Sequence, residues 1–128
     1  MSKIRFIPKR QPHKRVVQFH NAEEAWFWFI RSTRARMDGA RLTEATSNDT
    51  RPCEPDDVYR MVMALRRRNV LRDDHLRVLA EYGWRECPPD TRVHEEAHAL
   101  CLWDEALDRL TTHLIAKGIV FYDDQPRS

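Results

Sequence analysis

The sequence predicts an all-α fold: a single-domain bundle of about four helices behind a basic N-terminal arm. Two observations carry that prediction. Apolar residues recur at steps of three and four in four separate stretches, and capping residues and chain-breaking residues bracket each stretch. A third observation narrows it: the three glycines, Gly39, Gly83 and Gly118, each follow a helical stretch and read as stops, which leaves no glycine-rich loop to cradle phosphate.

Residues 1–20 read as an arm, punctuated by Pro8 and Pro12, with Ile4–Ile7 and Val16–Phe19 as two short strands. The first helix opens at Asn21, takes Glu24 as its capping-box partner and closes at Gly39. Its core stripe is Ala22, Trp26, Phe29, Ile30, Thr33 and Met37, which leaves Trp28 off the stripe, exposed or at a contact between subunits. Residues 40–53 are rich in Thr, Ser, Asn, Asp and Pro and read as a loop. Glu54-Pro55-Asp56-Asp57 starts the second helix, since proline suits the first helical position and acids complement the dipole. Val58, Met61, Val62 and Leu65 form its buried face. Arg66, Arg67 and Arg68 crowd its last turn, where cations offset the partial negative charge of the helix end. A shorter third helix is expected over Asp73 to Tyr82, with Leu76, Leu79 and Ala80 inward and Gly83 as its stop. After Cys87-Pro88-Pro89, a long fourth helix is expected from Asp90 or Thr91 to Lys117, along the stripe Val93, Ala97, Leu100, Trp103, Leu107, Leu110 and Leu114. Ile119–Tyr122 then packs as an extended tail, and Asp123–Ser128 fray. The divisions are thus an arm over 1–20, a helical domain over 21–118 and a tail over 119–128.

With 128 residues the chain is about one domain long. Its net charge is only +2, but Lys3, Arg5, Lys9, Arg10, Lys14 and Arg15 all precede the first acid, Glu23. A basic arm on a near-neutral body suits nucleic acid or an acidic partner. Three cysteines with no C-x-x-C spacing, no signal-type apolar segment and no membrane-length apolar run point to a cytoplasmic protein without a membrane partner.

One pentapeptide, His94-Glu95-Glu96-Ala97-His98, matches the zinc-protease pattern H-E-x-x-H. On the expected fourth helix both histidines point away from the apolar stripe. The pattern's downstream glycine and third ligand are replaced by Cys101 and Asp104, on what reads as continuous helix. The protease reading is set aside, and no other arrangement of nucleophile, base and orienting group names a reaction, so the expectation is a non-enzyme. Cys87, His94, His98 and Cys101 do share a sector of that helix and its entry, and two thiolates with two imidazoles are the donors of a closed structural zinc site. Helices two and three, with their short connection, also have the outline of a helix-turn-helix, but Asp73 and Asp74 would place acids where a recognition helix meets phosphate.

The segments AWFWFIRSTRARMDGAR, RPCEPDDVYRMV, LRDDHLRVLAEYG, LWDEALDRL and KGIV, which together span residues 22–120, resemble a family of small uncharacterised bacterial helical proteins. The resemblance implies a bacterial cytoplasmic protein and carries over no activity and no site residue.

The leading expectation is therefore a small regulatory or accessory protein that binds nucleic acid through Lys9, Arg10, Lys14, Arg15, Arg31, Arg34, Arg66, Arg67 and Arg68. The alternative is an interaction module for a protein partner or a second copy, anchored on arginine and the aromatics Phe27 and Trp28. A zinc-binding role for the HEEAH segment is the third reading.

Overall fold

The computed structural model describes residues 15–39 and 49–122. Four helices make the body: α1 (Ala22–Met37), α2 (Pro55–Arg67), α3 (Asp73–Arg85) and α4 (Ala97–Ala116). Two two-residue strands, β1 (Arg15–Val16) and β2 (Asp49–Thr50), pair in parallel at the edge of an all-α bundle. No described helix is long and apolar enough to cross a membrane. The Ile4–Ile7 segment, the loop over 40–48 and Asp123–Ser128 lie outside the described residues.

The start of α1 is capped as its sequence predicts. Asn21 Oδ1 accepts the Glu24 amide at 2.8 Å, and the Glu24 carboxylate accepts the His20 amide at 2.7 Å. From there α1 acts as the hub, packing against α2, α3 and α4, while α3 and α4 form the other main pair. The shared core holds Trp26, Phe29 and Ile30 of α1, Val58, Val62 and Leu65 of α2, Val78, Leu79 and Tyr82 of α3, and Trp103, Leu110 and Leu114 of α4.

All four helices end at a residue in the left-handed region, and in α2, α3 and α4 its amide and the next one close two bonds back into the last turn. Gly39, Asn69, Glu86 and Gly118 hold this position, with φ of 76°, 63°, 59° and 76°. At α2 the amides of Asn69 and Val70 donate to Arg66 and Leu65; at α4 those of Gly118 and Ile119 donate to Ile115 and Leu114.

Several expectations need correction. Gly83 does not stop α3: it lies inside the helix, buried, and Glu86 closes the end instead. A Cβ at Gly83 would sit 2.6 Å from Trp26 Nε1 and 3.0 Å from Ile30, so the glycine is there to let α1 approach α3. Across that contact Trp26 Nε1 donates to the Leu79 carbonyl at 2.9 Å. Trp28 is buried rather than exposed, its ring 5.0 Å from that of Phe19. Met37 is 70% exposed, at the last residue of α1, and Ala80 faces outward because it lies on the solvent side of α3, next to the buried Leu79. The fourth α-helix starts at Ala97, not near residue 90; a 3₁₀ turn over His94–Glu96 precedes it. Pro88 and Pro89 delay it, and the Asp90 amide is taken by the Glu96 carboxylate at 2.8 Å.

The segments flanking the bundle are part of the fold. Phe19 is fully buried, its amide donates to Ile119 at 3.0 Å, and the Phe121 amide returns to its carbonyl at 2.9 Å. Gln18 Nε2 reaches the Gly118 carbonyl at 2.8 Å. The extended segment before α1 therefore pairs with the extended segment after α4.

Candidate functional site

Two polar arrangements stand out, one structural and one open to a ligand. The first joins α3 to α4. His75 is fully buried; its Nδ1 accepts the Arg72 amide at 3.0 Å, and its Nε2 faces Glu105 Oε1 at 2.7 Å. Since an amide only donates, Nδ1 carries a lone pair and Nε2 carries the proton given to Glu105. Arg109 clamps the same carboxylate at 3.4 Å and donates to the Val70 carbonyl at 3.0 Å. The Glu105 carboxyl is held below its ordinary range, chiefly by the His75 hydrogen bond and further by the charges of Arg109 and Arg72, against an opposing desolvation. With both ring nitrogens committed and no exposed edge, His75 is a strut between helices and is unavailable for proton transfer to a ligand.

The second arrangement is an open cleft of about 530 Å³ between α2 and the last turn of α4. It exists because α1 packs on both helices while α2 and α4 touch each other slightly at most, and because Ala64 and Ala116 stand where larger side chains would narrow the gap. Leu65 and Ile119 form a buried floor, with Met61 half-buried beside them. Arg60, Arg68, His113 and Lys117 line the mouth. Asp57 engages Arg60 at 3.1 Å while accepting the Glu54 amide at 2.9 Å, so that cation is balanced. Arg67, Arg68 and Lys117 form no ion pair with any described residue. His113 Nδ1 donates to the Arg109 carbonyl at 3.0 Å, which leaves Nε2 as its free edge.

Two helix C-termini meet the cleft, and a helix end carries about half a negative charge. Arg68 and Lys117 exceed that, leaving a surplus of roughly one positive charge after both ends are offset. The acceptors that would favour a cation are also largely used. Ala64, Leu65 and Arg66 carbonyls accept from residues 68–71, and those of His113, Leu114 and Ile115 accept from residues 117–120. What remains is an apolar floor under cations that have no ion-pair partner among the described residues.

Cys53 lines the same cleft, and burial, with the nearby charges of Asp57 and Glu54, pushes its thiol up to about 11. At neutral pH it stays protonated and is a poor nucleophile.

Two of the arginines expected to meet nucleic acid are already engaged by other groups of the protein. Arg34 is committed within the protein: it donates to Glu86 and to the Trp84 carbonyl, and its guanidinium lies 4.5 Å from the Trp84 ring centre. Arg66 pairs with Asp73 across the α2–α3 connection. Arg31, Arg67 and Arg68 are exposed. Lys9, Arg10 and Lys14 lie outside the described residues, and Arg15 is described only as backbone of β1. The zinc set is not assembled: among the described residues no group of three or more His, Cys, Asp and Glu is placed to hold a metal ion. Cys87, His94, His98 and Cys101 are each exposed, and the 3₁₀ turn removes His94 from the helical face it was expected to share with the last two.

Arg60, His113 and Lys117 were not singled out from the sequence. The signal was present as spacing: Arg60, Ala64 and Arg68 recur every four residues on α2, and His113, Ala116 and Lys117 at three and four on α4. Nothing in either helix alone says that these two stripes face each other.

No protein-family model matches the chain, and no curated protein or solved structure shows significant similarity to it.

Proposed function

We propose that this chain is a small non-enzymatic binding protein that engages nucleic acid through the basic end of its bundle, where α2 and α4 finish. The observation that carries this reading is the meeting of Arg68 and Lys117, far apart in sequence and without an ion-pair partner among the described residues, at one apolar-floored cleft. Phosphate contacts of this kind supply sequence-independent affinity. The basic residues Lys9, Arg10, Lys14 and Arg15 add to it as a second contact region. Arg34 and Arg66 are left out, since their guanidinium groups already have internal partners.

Binding is favoured over catalysis by the state of the reactive side chains. His75 is sealed, the Cys53 thiol is pushed up, and one nitrogen of His113 is committed to a carbonyl. The protein-partner alternative loses its proposed anchor, because Trp28 is buried against Phe19 and Phe27 lies half-buried against Trp103.

The test is a titration of labelled oligonucleotides at two salt concentrations. Affinity should fall steeply with salt, with a slope near −0.7 to −0.9 for each phosphate neutralised. The double variant Arg68→Gln/Lys117→Gln should bind more weakly and lose part of that slope. Absence of binding at low salt by the unaltered protein defeats the proposal.

A further inference from the structure

Resting on that reading, we infer that the α2–α4 cleft takes one unstacked nucleotide unit, its phosphate between Arg68 and Lys117 and its base on the aliphatic floor. The cleft, at about 530 Å³, falls within the range of roughly 300–1,000 Å³ that holds small ligands. Purely electrostatic binding would need only a convex basic surface. Here the cations rim a depression whose bottom is Leu65 and Ile119, both buried, with Met61 on one wall. That combination asks for an anion joined to an apolar body. A nucleobase on a phosphorylated sugar has both, and a methionine thioether packs favourably against an aromatic ring.

Arg68 stands at the end of α2 and Lys117 at the end of α4, both lining the cleft, and the inferred phosphate lies between them. The floor carries no hydrogen-bonding groups to read a base edge. Selection should therefore be for an available base and against none of the four in particular. A base in a duplex is stacked and paired and must be flipped out to enter, at a cost that a single strand avoids. The cleft accordingly makes the protein a single-strand binder.

The experiment uses the full chain with AMP, UMP, ribose 5-phosphate, a single-stranded oligonucleotide and the duplex of the same sequence. Ala64→Leu and, separately, Ala116→Leu fill the cleft without altering charge; a melting curve establishes that each is folded. The expected result is single-strand binding at least about tenfold tighter than duplex binding, a ratio that either filling variant cuts about tenfold. AMP and UMP should bind at least about tenfold more tightly than ribose 5-phosphate, which keeps the anion and lacks the base. If oligonucleotides bind but strand preference is absent or indifferent to filling, the cleft inference is overturned while the nucleic-acid reading stands. If AMP and UMP bind in a filling-sensitive way and no oligonucleotide binds, the nucleotide site stands and the nucleic-acid reading falls. If nothing binds, both are wrong.

Discussion

His75 Nε2 and Glu105 Oε1 meet at 2.7 Å, thirty positions apart in sequence, and make the one hydrogen bond by which the fully buried histidine holds α3 to α4. The same ring caps α3 by accepting the Arg72 amide, so a single side chain both starts one helix and docks it on another.

Replacing His75 with alanine should destabilise the protein by about 2–4 kcal/mol, from the void and the stranded polar groups together. The acid dependence follows from Glu105, whose folded value lies below its ordinary 4.5. A depressed carboxyl contributes stability that is complete above that ordinary value and is lost as pH falls through the folded one. Urea unfolding of the protein and of Glu105→Gln should therefore show a constant gap from pH 7 to about pH 5 that closes at lower pH. A gap that widens on acidification would contradict the assignment.

Gly83→Ala should cost about 1–3 kcal/mol, since the new methyl enters the space of the Trp26 indole. The displaced indole would lose its bond to Leu79, and the change should be visible as a red-shifted tryptophan emission. Unchanged stability and emission would mean that the two helices separate freely.

At the helix ends the expectation is conformational. Gly118→Ala meets nothing within 4 Å but forces a Cβ into the left-handed region, for a loss of about 1–2 kcal/mol. Asn69→Gly relieves the same conformation and should be neutral or slightly stabilising. Thermal melts of the two variants should move in these different ways.

Arg34→Ala removes an exposed ion pair and a cation–π contact, so its effect on stability should stay within about 1 kcal/mol. More to the point, it should leave oligonucleotide affinity unaltered, in contrast to Arg68→Gln. Equal losses in the two variants would return Arg34 to the binding surface.

Alkylation with iodoacetamide at pH 8, followed by mass spectrometry, should add two groups quickly, at the exposed Cys87 and Cys101. The third, at Cys53, should lag, because its thiol is pushed up to about 11. Three additions at one rate would contradict that environment.

The helices were legible in the sequence because their signals are local: Asn21 with Glu24, Pro55 at the start of α2, and Gly39 and Gly118 past the ends of α1 and α4. The misreadings share a cause. Trp28 looked unpartnered because its partner, Phe19, comes from a segment read as an arm. Gly83 looked like a stop because close helix approach and chain reversal both call for glycine, and only the position of Trp26 decides between them. The cleft was invisible for the same reason: Ala64 and Ala116 are ordinary helix formers until two helices are seen to diverge around them.

The pairing of Phe19 with Val120 sets an order of events during synthesis. A ribosome delivers the first of these residues some hundred positions before the second, so the pocket around Phe19 and Trp28 stays unfinished until α4 has emerged. Joining the outermost segments is a non-local contact in an otherwise locally wired helical protein, and such contacts slow folding. A nascent chain stalled before residue 119 would expose two large aromatic rings on α1 and its entry, a surface for chaperones to hold until the closing strand arrives.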